Sequence, residues 1–147
     1  MADARSSFVY VTYIRTTPEE LWAALTTPEF TRKFWFGMKL ETAWKVGARW
    51  QLVAADGAVT DEGVVREFDR PRRIVLAWNH VRRPELAAEG EALCVMELEP
   101  QEKAVKLTIT HTIDRAESKL IGAVSGGWPR ILANLKSLLE TGAIVLE

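Results

Sequence analysis

A chain of 147 residues with 48% hydrophobic content is long enough to close one ordinary core and too short for two. Its net charge of -1 supplies no basic stripe, which excludes nucleic acid as the expected partner. The single cysteine, Cys94, excludes an internal disulfide and any multi-cysteine metal cluster, and no run approaches the roughly twenty apolar residues of a bilayer span. The stretch Met1 to Ser7 lacks an apolar signal core, so a cytoplasmic protein without membrane insertion is the expectation.

Residues 8 to 15 are β-branched and aromatic almost throughout and predict a strand, although the pattern does not say which face points inward. Thr17-Pro18-Glu19-Glu20 then writes a helix start. The threonine hydroxyl can cap, Pro18 sits where a missing N–H does no harm, and Glu20 completes a capping box. Leu21, Trp22 and Leu25 form one apolar face behind it. Thr27-Pro28-Glu29 repeats the cap and the proline and predicts a second short helix.

Lys39 to Thr42 and Ala48 to Ala54 read as strands, with Ala55-Asp56-Gly57 turning the chain after the second. Thr60 to Phe68 follows. Arg70-Pro71-Arg72 breaks the pattern, and Ile74, Leu76 and Trp78 alternate along the next strand, which suits a sheet covered on one side. His80 to Gly90, with Pro84, reads as a long exposed hairpin loop. In Glu91 to Glu99 the residues Ala92, Cys94, Met96 and Leu98 share a face, and Pro100-Gln101-Glu102-Lys103 turns the chain. Val105, Leu107, Ile109, His111 and Ile113 then alternate with polar residues, giving the sharpest period-two pattern in the sequence. The period changes at the end. Trp128, Ile131, Leu132, Leu135, Leu138 and Leu139 form a helical stripe, predicting a helix from about Gly127 to Glu140 with Thr141-Gly142 as its stop. Pro129 must then lie in the first turn or kink the helix, and Glu117 to Val124 forms a separate turn or an earlier, broken part of it.

This order defines an α+β domain: one strand, two short helices, an antiparallel sheet of six to seven strands in all, and a long terminal helix. Only that helix is long enough to cover the sheet, and a curved sheet wrapped around one helix leaves a cleft. Six tryptophans are available to line it.

The segment from Pro18 to Glu29, then Phe34-Trp35, Val46-Gly47, Gly63-Val64-Val65-Arg66-Glu67, Arg70-Pro71, Leu76-Ala77-Trp78 and Gly127-Trp128 with Leu132, Leu135 and Leu139 carry a resemblance. Over residues 8 to 140 the chain resembles the START-like superfamily, and within it the family named after the activator of the heat-shock protein 90 ATPase. The resemblance implies a helix-grip fold: a curved antiparallel sheet gripping the C-terminal helix around a hydrophobic cavity. Members of the superfamily bind lipids, sterols or hormones, some cyclise polyketides, and the eukaryotic activator touches a chaperone.

The expected cavity takes Trp35 and Phe36 at its mouth. From the sheet it takes Trp50, Leu52, Val65, Glu67, Leu76, Trp78, Met96, Ile109 and His111, and from the helix Val124 and Trp128. His111 is the one weak catalytic candidate, because its strand companions are apolar and imidazole exchanges protons near neutral pH; an ordinary core histidine is the simpler alternative. Glu67 faces the cavity with Gly63 and Val65, or these form the outer face and Val64, Arg66 and Phe68 the inner one. Parity alone does not decide, and a buried Glu67 needs a partner such as Arg49. Cys94 reads as a small buried hydrophobe.

No phosphate-binding glycine loop, serine elbow or histidine pair at metal spacing is present, so no cofactor or metal is expected. The leading expectation is a binding protein for a small hydrophobic or amphipathic molecule held between sheet and helix. The alternatives are a cyclase- or hydrolase-type enzyme using His111 with Glu67 assisting, and an interaction module that forms a homodimer or engages a chaperone.

Overall fold

A computed structural model describes residues 5–147; the start of the stretch read above as lacking a signal core lies outside the described residues. The element order is β1 (Ser6–Ile14), α1 (Pro18–Thr26), α2 (Pro28–Phe34), β2 (Lys39–Thr42), β3 (Arg49–Val53), β4 (Val59–Asp69), β5 (Arg73–His80), α3 (Pro84–Ala87), β6 (Ala92–Gln101), β7 (Ala104–Ile113) and α4 (Lys119–Thr141). The strands form one seven-stranded antiparallel sheet in the order β1-β7-β6-β5-β4-β3-β2. Helix α4 lies against it, contacting β1, β7, α2 and α3.

Alternation decides which face is covered. Val105, Leu107, Ile109, His111 and Ile113 of β7 and Ala92, Cys94, Met96 and Leu98 of β6 are all buried. Strand β1 turns Phe8, Tyr10, Thr12 and Ile14 inward and leaves Val9, Val11 and Tyr13 exposed, settling the face its composition left open. Parity fails in β4 because its register shifts between Val65 and Glu67. That bulge adds a residue, so Val65 points into the core before it and Phe68 packs on Trp22 and Trp44 after it. Val65 thus follows the first reading and Phe68 the second, while Arg66 and Glu67 between them are exposed.

Helix α1 starts as expected, with Glu20 N–H donating to the Thr17 hydroxyl at 3.2 Å. The reciprocal bond of a capping box is not made; Glu20 accepts from the Thr16 hydroxyl instead. Thr27 also occupies a cap position, but its side chain forms no cap bond, and α2 is held by Thr31, which accepts from the Leu40 N–H of β2 at 3.0 Å.

Helix α4 is longer than its leucine stripe predicts. It starts at Lys119 and runs unbroken through Gly126, Gly127 and Pro129, so Pro129 stands inside the helix and not in its first turn. The early start follows from capping. Ser118 accepts from the Ile121 N–H, while the Glu89 carboxylate accepts from Lys119 N–H at 2.8 Å and Leu120 N–H at 3.2 Å. Glu89 arrives from the segment expected to be an exposed loop, which instead contains α3 with Leu86 buried. At the other end Gly142 adopts the left-handed conformation (φ 87°) and donates to Leu138 O, the stop expected at Thr141-Gly142.

Candidate functional site

The tryptophans converge on one region. Trp50 in β3 and Trp78 in β5 sit on either side of Gly63 in β4, their register partner, and their rings meet at 4.6 Å over it. Trp50 Nε1 donates to Ala77 O at 2.9 Å across the glycine. A Cβ on Gly63 would stand 1.8 Å from that same carbonyl oxygen, so the position admits glycine alone. Trp128 from α4 packs 6.1 Å from Trp78, and Trp35, at the end of α2, lies 5.2 Å from Trp128 and 6.4 Å from Trp78.

Beside this cluster, between sheet and α4, lies a cleft of about 200 Å³. Leu52, Asp61, Trp78 and His80 line it from the sheet, and Leu120, Val124, Trp128 and Ile131 from α4. Trp35, Met38, Arg83 and Leu86 complete the rim. Larger hollows of about 460 Å³ occur elsewhere; Arg32, Lys39 and Glu41 line one, Glu20, Lys33, Phe30, Leu138 and Leu139 the other, and no tryptophan lines either.

Besides Arg83 at the rim, the polar side chains of the cleft are one pair. Asp61 and His80 are register partners on β4 and β5. Asp61 Oδ2 accepts from Trp78 Nε1 at 2.7 Å and lies 3.0 Å from His80 Nδ1. An ionised carboxylate only accepts, so the proton of a neutral His80 ring resides on Nδ1 and Nε2 is left as an acceptor. His80 Nε2 is buried without a hydrogen-bond partner among the described residues.

His111 is fully buried and does not reach the cleft lining. Its Nδ1 accepts from Trp128 Nε1 at 3.1 Å, its ring sits 5.1 Å from Trp78, and burial lowers its pKa to about 4. Burial pushes the Cys94 thiol well up, which makes it inert as a nucleophile. Among the described residues no group of three His, Cys, Asp or Glu side chains is placed to hold a metal ion.

Residues 15–140 match the family described as Activator of Hsp90 ATPase homolog 1-like protein. The chain belongs to this family. Solved structures similar to this family member include protein MLL2253 from Mesorhizobium loti, 23% identical at a TM-score of 0.79, over 92% of this chain and 97% of that one. Another is PFC0360w, an HSP90 activator from Plasmodium falciparum, with 23% identity, a TM-score of 0.73 and coverage of 90% and 95%. A third is the Aha1 dimer from Colwellia psychrerythraea, with 19% identity, a TM-score of 0.75 and coverage of 93% and 98%. At these identities the likeness is one of fold. No curated protein matches.

Of the residues expected to line the cavity of this Hsp90-activator-like domain, Trp35, Leu52, Trp78, Val124 and Trp128 do so. Trp50, Val65, Leu76, Met96 and Ile109 are buried in the packed core behind them. Phe36 and Glu67 lie elsewhere. Phe36 is 40% exposed under Arg130, because its left-handed backbone (φ 51°) turns the chain out of α2. Glu67 follows the β4 bulge onto the outer face, where it pairs with Arg73 at 3.4 Å, while Arg49 pairs with Glu62.

The sequence reading missed Asp61 and His80. His80, which the sequence places in a loop, ends β5 with its side chain mostly buried. Parity offers a signal for His80, two residues after Trp78 on the face assigned to the interior; Asp61 shares the face of Gly63, which the sequence leaves open.

Proposed function

We propose that this domain binds a small apolar or amphipathic molecule in the cleft between the sheet and α4. The observation that carries the reading is a concave surface of Trp35, Trp78, Trp128, Leu52 and Ile131 with a single buried carboxylate–imidazole pair set into it. Apolar walls with few placed polar groups are what ligand sites share. The cleft is smaller than most such sites, and a 150 Å³ apolar cavity already accepts benzene, so the fitting ligand is of one- or two-ring size. Native mass spectrometry and tryptophan fluorescence against a panel of lipids and aromatic metabolites test this. Binding that quenches emission supports it, and a panel without any binder counts against it.

An enzyme acting through His111 receives less support, since that ring is sealed beneath Trp78 and Trp128 and already accepts from Trp128. A second reading, self-association or chaperone binding, rests on the exposed Val9, Val11 and Tyr13 of edge strand β1. The dimer described for the Colwellia psychrerythraea protein and the activator role described for the Plasmodium falciparum one favour testing it. A monomeric mass by light scattering, with no capture of a chaperone, would remove it.

A further inference from the structure

We propose that Asp61 and His80 form the polar recognition element of the cleft, and that they select a small aromatic molecule bearing one hydroxyl, which donates to His80 Nε2. This rests on the ligand-binding reading above and adds the chemistry of the ligand.

A buried polar atom without a partner is rare in folded proteins and calls for a specific explanation. The described residues contain only two such side-chain atoms, His80 Nε2 and His111 Nε2. They differ in setting. His111 is enclosed by the core, whereas His80 and its partner Asp61 both line the cleft. The His80 ring is also oriented from behind. Asp61 Oδ2 holds Nδ1 at 3.0 Å and is itself fixed by Trp78 Nε1 at 2.7 Å, so the carboxylate has little freedom to release the ring. Both side chains are nearly enclosed, His80 at 14% and Asp61 at 11% exposure, and Nε2 itself is closed to solvent, so a ligand's hydroxyl reaches it by displacing what covers it and then meets little competition from water.

This arrangement dictates the ligand's complement. With the proton held on Nδ1, Nε2 of the neutral ring accepts and its partner must donate. A phenolic hydroxyl is a strong neutral donor on a flat ring, and the surrounding Trp35, Trp78 and Trp128 offer aromatic faces to such a ring. Asp61 acts through His80 and is a positioning residue.

The test uses the whole ¹⁵N-labelled protein and three probes of one shape, 4-ethylphenol, 4-ethylanisole and ethylbenzene, titrated while the indole N–H signals are followed. The expected result is that 4-ethylphenol binds at least about tenfold more tightly than the other two. In His80→Phe that preference disappears while ethylbenzene affinity is kept or rises. Equal binding of all three probes, or a preference that survives His80→Phe, overturns the proposal and leaves the cleft as a plain apolar site. Absence of binding by all three overturns the proposal, and the ligand-binding reading falls with it when the wider panel of lipids and aromatic metabolites also yields no binder. Should His80→Phe fail to fold, the wild-type imidazole ¹⁵N spectrum gives an independent answer. The unprotonated Nε2 signal of His80 should move on addition of 4-ethylphenol, with Nδ1 remaining protonated. An Nε2 that carries the proton, or that does not respond, is the contrary result.

Discussion

Replacing Gly63 by alanine should be among the most damaging single-methyl changes in this protein. The added Cβ would stand 1.8 Å from Ala77 O, 2.8 Å from Ala77 C and 2.9 Å from Trp50 Nε1, and two of those three atoms belong to backbone. Strands β4 and β5 would have to part, breaking the 2.9 Å bond from Trp50 Nε1 to Ala77 O at a tryptophan that is wholly buried. Overpacking costs about 1–3 kcal/mol, and a stranded buried donor about 1–3 kcal/mol more. A loss of about 4 kcal/mol is expected against a total stability of roughly 5–15 kcal/mol, lowering Tm by roughly 10 °C. Urea denaturation followed by tryptophan emission measures it. Gly126→Ala is the control: no neighbouring atom lies within 4 Å of its Cβ, and an exposed helical glycine replaced by alanine should stabilise by about 0.5–1 kcal/mol. A Gly63→Ala loss below about 1 kcal/mol, with the Trp50 indole N–H still protected from exchange, would refute the packing argument.

Burial holds the His111 pKa at about 4, below the ordinary 6.5, so the unfolded chain binds the extra proton first. Stability from this residue is nearly complete above about pH 6.5 and falls as pH drops toward 4, by about 2 kcal/mol between pH 7 and pH 4.5, which denaturation curves at those two values will show. At Glu89 burial raises the pKa, but hydrogen bonds from Ser118, Lys119 and Leu120 together outweigh it and leave the carboxyl below its ordinary value. Its contribution is therefore present above about pH 4.5 and lost below; Glu89→Gln should cost about 1 kcal/mol at pH 7, and its stability should converge with the wild type in acid. Asn134 is fully buried, accepting from the Val145 and Leu146 N–H groups and donating to Leu146 O. Asn134→Ala should abolish hydrogen-exchange protection at those two amides and cost about 1–3 kcal/mol.

Elements whose neighbours lie close in sequence were legible, because periodicity reports directly on one covered face. The inward row of β7 and the Thr17 cap of α1 are of this kind. Misreadings arose where a distant residue decides the local structure. Helix α4 begins eight residues before its predicted start because Glu89, far back in the chain, satisfies its first N–H groups. Glu67 leaves the interior because a bulge, invisible to a period-two count, rotates the strand beneath it. The candidate site shows the same division. Trp78 and Trp128 could be assigned to the cleft from their faces, but the pairing of Asp61 with His80 depends on the β4–β5 register. His111 shows that an inward-facing histidine need not reach a cavity: Trp78 and Trp128 cover it first.

The six tryptophans provide the most direct test of ligand binding in this cleft. Trp35, Trp78 and Trp128 line it, whereas Trp22 and Trp44 pack on Phe68 outside its lining. A ¹H–¹⁵N titration followed at the indole and backbone N–H signals, with a panel of small aromatic molecules, should shift the first three indoles at a common dissociation constant and leave those of Trp22 and Trp44 in place. Shifts confined to the exposed β1 residues Val9, Val11 and Tyr13, or no saturable shift at Trp35, Trp78 and Trp128 with any molecule, would contradict it.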